Sequence, residues 1–169
     1  FINQLYTAGT NNYLIPKINE YFVRSSVNAD IGYPYVMVPL FTAEEVLFNR
    51  AEAKAHLDDL DGAIDDLNMY ASTRIRQYNH STHAITRTKV RNFYRTSDTK
   101  AGVIETILDF KRAEFVQEGM RWFDLLRYNR PVVHTTWEGE TYTLEANDLR
   151  RVFQIPESAK LSGIELNPR

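Results

Sequence analysis

The chain has 169 residues, 43% of them hydrophobic, with a formal net charge of −2 and no cysteine. That length supplies one core and falls short of two ordinary domains. The charge balance argues against a polyanion or nucleic-acid binder, and the missing thiols exclude disulfides, thiolate zinc sites and a cysteine nucleophile. No apolar run approaches a membrane span, and Phe1 to Thr10 has neither the basic start nor the apolar stretch of a signal peptide. Without an initiator methionine, the sequence reads as a segment beginning inside a longer protein.

Residues 1–41 show no helical period and read as an irregular lead-in, with turn clusters at Gly9–Asn12 and Asn28–Pro34. Tyr35–Leu40 reads as a short strand or an extended stretch, and Pro39 limits it to an edge. Thr42-Ala43-Glu44-Glu45 is a capping box that opens a helix. Glu45, Asn49, Glu52, His56 and Asp59 predict one polar stripe on it, with Leu47, Ala51 and Ala55, and with Val46 and Leu57, facing the other way. Asp61 reads as the N-cap of a second helix carrying Ile64, Leu67, Ala71 and Ile75. Together, residues 42–77 predict an antiparallel helical hairpin resembling one tetratricopeptide-type repeat, a unit that needs neighbours to cover its faces.

Residues 73–97 read as a Thr/Asn/His/Arg-rich connector. A long helix starts at Asp98 or Thr99, with Ile104, Ile107/Leu108, Lys111 and Phe115 on one face. Gly119 marks its end or a kink, and Met120–Tyr128 reads as a short second helix, stopped by Asn129 and Pro131. Val132–Thr136 and Thr141–Leu144 alternate about Glu138-Gly139, a hairpin signal. The tail from Arg151 reads as a short strand, a proline stop, a helical turn and Asn-Pro. The fold class is mainly α, in one unit, with signature helices over 98–128 and a hairpin and tail over 129–169.

Between Arg112 and Pro131, six charged residues alternate with large apolar ones: Arg112, Glu114, Glu118, Arg121, Asp124 and Arg127. Not all can face water, and a buried charge must be paired. The run predicts a structural acid–arginine network locking two helices together. Glu114 and Glu118 stand one helical turn apart, as a glycosidase pair might. The nearby Arg112 and Arg121 would keep both ionised, against the needs of a general acid.

Other constellations fail on spacing. Asp58, Asp59 and Asp61 before Gly62 suggest a calcium loop, but its first and twelfth positions are Leu57 and Asn68. His80 and His83 lack a third metal ligand. Arg74, Arg76, Arg87, Lys89, Arg91 and Arg95 with Tyr78, Phe93 and Tyr94 suggest a nucleic-acid groove, which the acidic stretch 44–66 would neutralise. No serine sits in a nucleophile elbow and no glycine-rich phosphate loop occurs. No cofactor and no metal are implied, and the chain reads as a non-enzyme. Trp137, Tyr142, Tyr33 and Tyr35 fall in loops or hairpins. They read either as packing residues or as a stacking platform for the apolar face of a sugar.

Three separated segments resemble the SusD-like (RagB/SusD) family of nutrient-binding outer-membrane lipoproteins. They are L-F-T-A-E-E-V-L-F-N-R-A-E-A at 40–53, K-R-A-E-F-V-Q-E-G-M-R-W-F-D-L-L-R-Y at 111–128, and F-Q-I-P-E-S-A-K-L-S-G-I-E-L-N-P-R at 153–169. Four positions depart from the family pattern. It commonly has arginine at Thr42, an acid at Phe110, arginine at Lys111 and an apolar residue at Gln117. The resemblance implies a mainly helical fold with tetratricopeptide-like repeats. It implies a longer parent held on the outer face of the outer membrane by an N-terminal lipid anchor, of which this chain is the C-terminal part. It also implies capture of oligosaccharide or other nutrient and delivery to a TonB-dependent transporter. Ligand contacts in such proteins come from variable loops, so the four aromatics are the candidates and the motif residues are not. The alternative is a protein–protein docking scaffold with no sugar site of its own, working through the Glu45/Asn49/Glu52 stripe.

Overall fold

The structure, a computed structural model, describes residues 6–7, 13–14 and 20–168. The described elements are mainly α-helical, with small antiparallel strand pairs. The length suggests one unit; the chain divides within a helix into two compact units, 1–107 and 108–169. Each gathers its own buried residues and is described by itself.

In the first unit, β1 (Tyr6–Thr7) pairs with β2 (Tyr13–Leu14), and β3 (Glu20–Arg24) pairs antiparallel with β4 (Gly32–Val36). The lead-in is therefore not irregular throughout. Its Tyr, Phe and Val suit a strand, and the turn cluster around Asn28 closes the hairpin. At Gly32, a Cβ would stand 2.3 Å from the Val23 carbonyl oxygen, so only glycine fits that register.

The predicted helical hairpin is present as α1 (Ala43–His56) and α2 (Leu60–Arg74). Thr42 caps α1 by accepting from Glu45 N at 3.3 Å. The buried stripe of α1 is Phe48, Ala51, Glu52 and Ala55. This corrects the sequence expectation: Glu52 is buried, while Val46 and Leu57 are exposed. The stripe is set by Phe48, whose ring lies 4.7 Å from that of Tyr70 on α2, centroid to centroid. Counting three and four onward from Phe48 brings Glu52 inside, where its carboxylate lies 4.0 Å from His56 Nε2. Ala51 and Ala55 on α1, with Ala63 and Ala71 on α2, are all buried and let the two helix backbones approach closely.

Asp59, not Asp61, caps α2, accepting from Gly62 N at 3.0 Å. The turn uses Asp58 at φ +65, so the helix starts two residues earlier than expected, which leaves Asp61 in its first turn. The capping carboxylate occupies the space beside Gly62, where a Cβ would meet it at 2.2 Å.

The connector is also more ordered than its composition suggests. It holds α3 (His80–His83) and α4 (Arg87–Tyr94), capped by Asn79 and Thr86. The Asn68 amide of α2 grips the backbone between them, donating to Ile85 O at 3.0 Å and accepting from Ile85 N at 2.7 Å. Lys89 Nζ donates to Thr82 O and Ala84 O. Polar side chains bonding to backbone do here what an apolar face does elsewhere, so no hydrophobic period announces these helices. α5 (Thr99–Glu114) opens at Asp98, which accepts from Ala101 N at 3.0 Å. Gly102 on α5 meets Val90 of α4, where a Cβ would come within 2.7 Å of Val90 Cγ1.

The second unit begins in α5 at Leu108. Gln117 at φ +68 and Gly119 at φ +75 break the chain between α5 and α6 (Met120–Arg127). The hairpin of β5 (Val132–Thr135) and β6 (Thr141–Leu144) follows as expected. Among the described residues no strand forms after Arg151. That residue ends a 3₁₀ turn at Leu149–Arg151, and its buried guanidinium donates to the carbonyls of Leu125, Arg130 and Glu145. A second 3₁₀ segment runs Glu157–Ser162. Gln154 and Asn167 then close the tail through paired bonds of 2.9 and 3.0 Å.

Candidate functional site

The four aromatic candidates lie on two hairpins, one in each unit. Strand alternation and register place Tyr35 opposite Tyr21 and Tyr33 opposite Val23, so these four side chains share one face of β3–β4. Tyr21, Tyr33 and Tyr35 are 49%, 67% and 57% exposed, and nothing on that face is charged. Tyr21 is the member that sequence reasoning missed. The signal was the apolar run Tyr21-Phe22-Val23; the pairing that brings it beside Tyr35 is non-local.

On the other hairpin, Trp137 stands in the turn, 95% exposed, and Tyr142 on β6 is 60% exposed opposite His134. Gly139 at φ +90 makes the turn. The Tyr142 hydroxyl donates to Glu140 Oε2 at 2.7 Å, and that carboxylate raises the phenol's pKa. The turn thus presents an indole, a phenol held by a carboxylate, and the free-standing Glu138. Such groups stack on flat C–H surfaces and hydrogen-bond hydroxyls. They are not arranged around a nucleophile.

The charged run of the second unit is built differently from the sequence expectation. Its centre is Asp124, 3% exposed, whose Oδ1 accepts from Lys111 Nζ at 3.0 Å and from Arg127 Nη2 at 2.6 Å. Lys111, itself 5% exposed, is the partner missed, although it sits on the apolar stripe of α5 between Leu108 and Phe115. Arg112 turns outward to Asp109 at 3.3 Å. Glu114 is buried, and Glu118 and Arg121 are half-buried. Arg121 Nη1 and Asp124 Oδ2 are buried with no hydrogen-bond partner. Arg151 also stacks over Trp122 at 5.5 Å.

The basic connector is partly neutralised by the acidic stretch, Arg74 pairing with Glu44 at 2.7 Å and Arg87 with Asp61 at 2.8 Å, and Lys100 at the start of α5 pairs with Asp58 at 2.8 Å. Arg87 draws the Asp61 carboxyl below its ordinary pKa. His83 Nδ1 accepts from Asn79 N at 2.8 Å, and among the described residues no group of three or more His, Asp or Glu converges as a metal site. No described helix is long and apolar enough to cross a membrane. Between α1 and α2 an open, mainly apolar groove of about 450 Å³ is lined by Ala43, Glu44, Val46, Leu47, Arg50, Met69, Tyr70 and Thr73.

The model of the SusD family matches residues 10–161. No curated protein matches the chain. The matched span takes in the α1–α2 hairpin, the Lys111–Asp124–Arg127 cluster and both aromatic hairpins. The SusD family is one of non-catalytic nutrient- and glycan-binding proteins, generally surface lipoproteins of the outer membrane, partnered with TonB-dependent transporters. The chain belongs to the SusD family.

Proposed function

We propose that this protein binds an oligosaccharide or polysaccharide nutrient at the cell surface, without catalysis, and delivers it to a TonB-dependent outer-membrane transporter. The observation that carries the reading is the display of Trp137, Tyr142, Tyr33 and Tyr35 to solvent in a chain of this family. Burying an indole in a core stabilises a fold, and an indole left in water does not. Stacking on a sugar supplies the missing burial, while the carboxylates of Glu138 and Glu140 accept hydroxyl hydrogen bonds. Membrane association in this reading comes from a lipid anchor on the parent protein, and Glu114 and Glu118 have no catalytic part. Calorimetry against plant, host and microbial polysaccharides tests it. Binding without product release is expected, weakened about tenfold or more by Trp137→Ala or Tyr142→Ala. Cleavage of any glycan, or full affinity in both variants, would count against it.

A second reading has its own support in the apolar α1–α2 groove: a docking scaffold. The predicted stripe for docking does not stand, because Glu52 is buried. The exposed groove residues Val46 and Met69 take its place. Val46→Asp or Met69→Asp should then abolish transporter capture and leave glycan binding unchanged.

A further inference from the structure

We infer that the glycan recognised at these hairpins is uncharged, and that the chain discriminates against polyuronates and sulfated polysaccharides. The inference rests on the glycan reading above and adds the chemical class. An anionic glycan needs ammonium or guanidinium donors beside the stacking ring to replace the water lost from its carboxylates or sulfates. Among the described residues, neither hairpin offers one on its aromatic face. The aromatic face of β3–β4 is Tyr21, Val23, Tyr33 and Tyr35, with no charge at all, and Arg24 falls on the opposite face with Gly32. From Val132 to Leu144, the only formally charged residues are Glu138 and Glu140. Glu140 is already oriented by the Tyr142 hydroxyl. Carboxylates there accept hydrogen bonds from sugar hydroxyls and repel a polyanion. Arginines are plentiful elsewhere. Arg91 lies on α4 and Arg95 just after it, both exposed, beside Phe93, which is also exposed. None of these arginines belongs to either aromatic strand pair.

Affinity electrophoresis of the 169-residue chain tests this, in native gels containing galactomannan, xyloglucan or β-glucan and in matched gels containing polygalacturonate, alginate or chondroitin sulfate. Retardation is expected in one or more neutral gels only, little changed by salt, because stacking and neutral hydrogen bonds are not screened. It should fall about tenfold in Trp137→Ala or in Tyr35→Ala. Retardation in a polyanion gel, lost at high salt and in Arg91→Glu, would put the ligand on α4 and overturn the inference while leaving glycan binding intact. Retardation in none of the gels would remove the glycan reading itself, and the charge inference with it.

Discussion

Asp124 shows how one buried acid organises a whole unit. Two cations converge on its Oδ1, and its Oδ2 receives nothing. Removing Lys111 leaves the buried carboxylate with Arg127 alone and one charge-assisted hydrogen bond short, at a cost of about 1–3 kcal/mol. Lys111→Ala should therefore cost about that much in urea unfolding, whereas Arg112→Ala, on the outward Asp109 pair, should stay within about 0.5 kcal/mol. Equal effects would show that Arg112 belongs to the buried cluster after all. Lysine stands here where the family pattern has arginine, and an ammonium is a point donor where a guanidinium forks. Lys111→Arg should reach Oδ2 as well and raise the melting temperature. A lower one would mean that the site has no room for the fork. In the other unit, Asp66 is 2% exposed and takes Arg50 at 2.6 Å and Lys54 at 3.0 Å. Burial pushes its carboxyl pKa up, but the hydrogen bonds and charges of Arg50 and Lys54 outweigh burial and hold it below the ordinary value. A depressed folded pKa gives stability that is complete above the unfolded value, about pH 4. It is lost as pH falls below that, through the folded value. Acid titration followed by helical circular dichroism should show this loss in wild type, and Asp66→Asn should flatten it. An identical acid limb in both would assign the loss to other carboxylates.

At the scale of elements, the helix ends decide where the chain turns. The Asp59 cap and Gly62 form one device, since the carboxylate fills the space a side chain at 62 would need. Asp59→Ala should cost about 1 kcal/mol, the usual worth of an N-cap. Gly62→Ala should cost a similar amount by displacing the same carboxylate, and the double variant should cost no more than either single one. Additive losses would show the two residues acting separately. These ends also mark what a reader of the bare sequence sees and misses. The Thr42 box, the α6 boundaries after Gly119 and the Glu138-Gly139 hairpin are local devices, complete within a few residues, and the sequence displays them. The β3–β4 hairpin is held by pairing across a seven-residue gap, and α3 and α4 by Asn68 reaching from α2 and by Lys89 of α4 reaching back to Thr82 O and Ala84 O. Nothing within residues 80–94 signals Asn68, and no local period fixes the register of β3 on β4. Glu52 reads as part of the polar stripe by its residue type and spacing, whereas Phe48, the largest fully buried side chain among the described residues, sets the phase that brings it inside. The aromatic candidates were legible as residue types; that Tyr21 stands with Tyr35 depends on a register no local pattern encodes.

Across the whole molecule, folding and recognition draw on different residues, and that separation is testable. The groups that pack inside each unit, Phe48 with Tyr70 in the first and Lys111 with Asp124 in the second, are buried and already partnered. The groups proposed to meet a glycan, Trp137 above all, touch mostly water. A side chain that gains little burial on folding loses little when truncated, so Trp137→Ala should leave the melting temperature within the scatter of surface substitutions, about 0.5 kcal/mol. The same change should remove most of the glycan affinity, because a stacking anchor is worth about 2 kcal/mol or more at a binding surface. Lys111→Ala should do the opposite at a temperature where the variant stays folded: lower stability with unchanged glycan affinity. Measuring melting and affinity on both variants gives a crossed pattern if recognition lies on the hairpin. If Trp137→Ala melts early and binds normally, the indole is packing against protein, and the hairpin is part of the fold rather than part of the site.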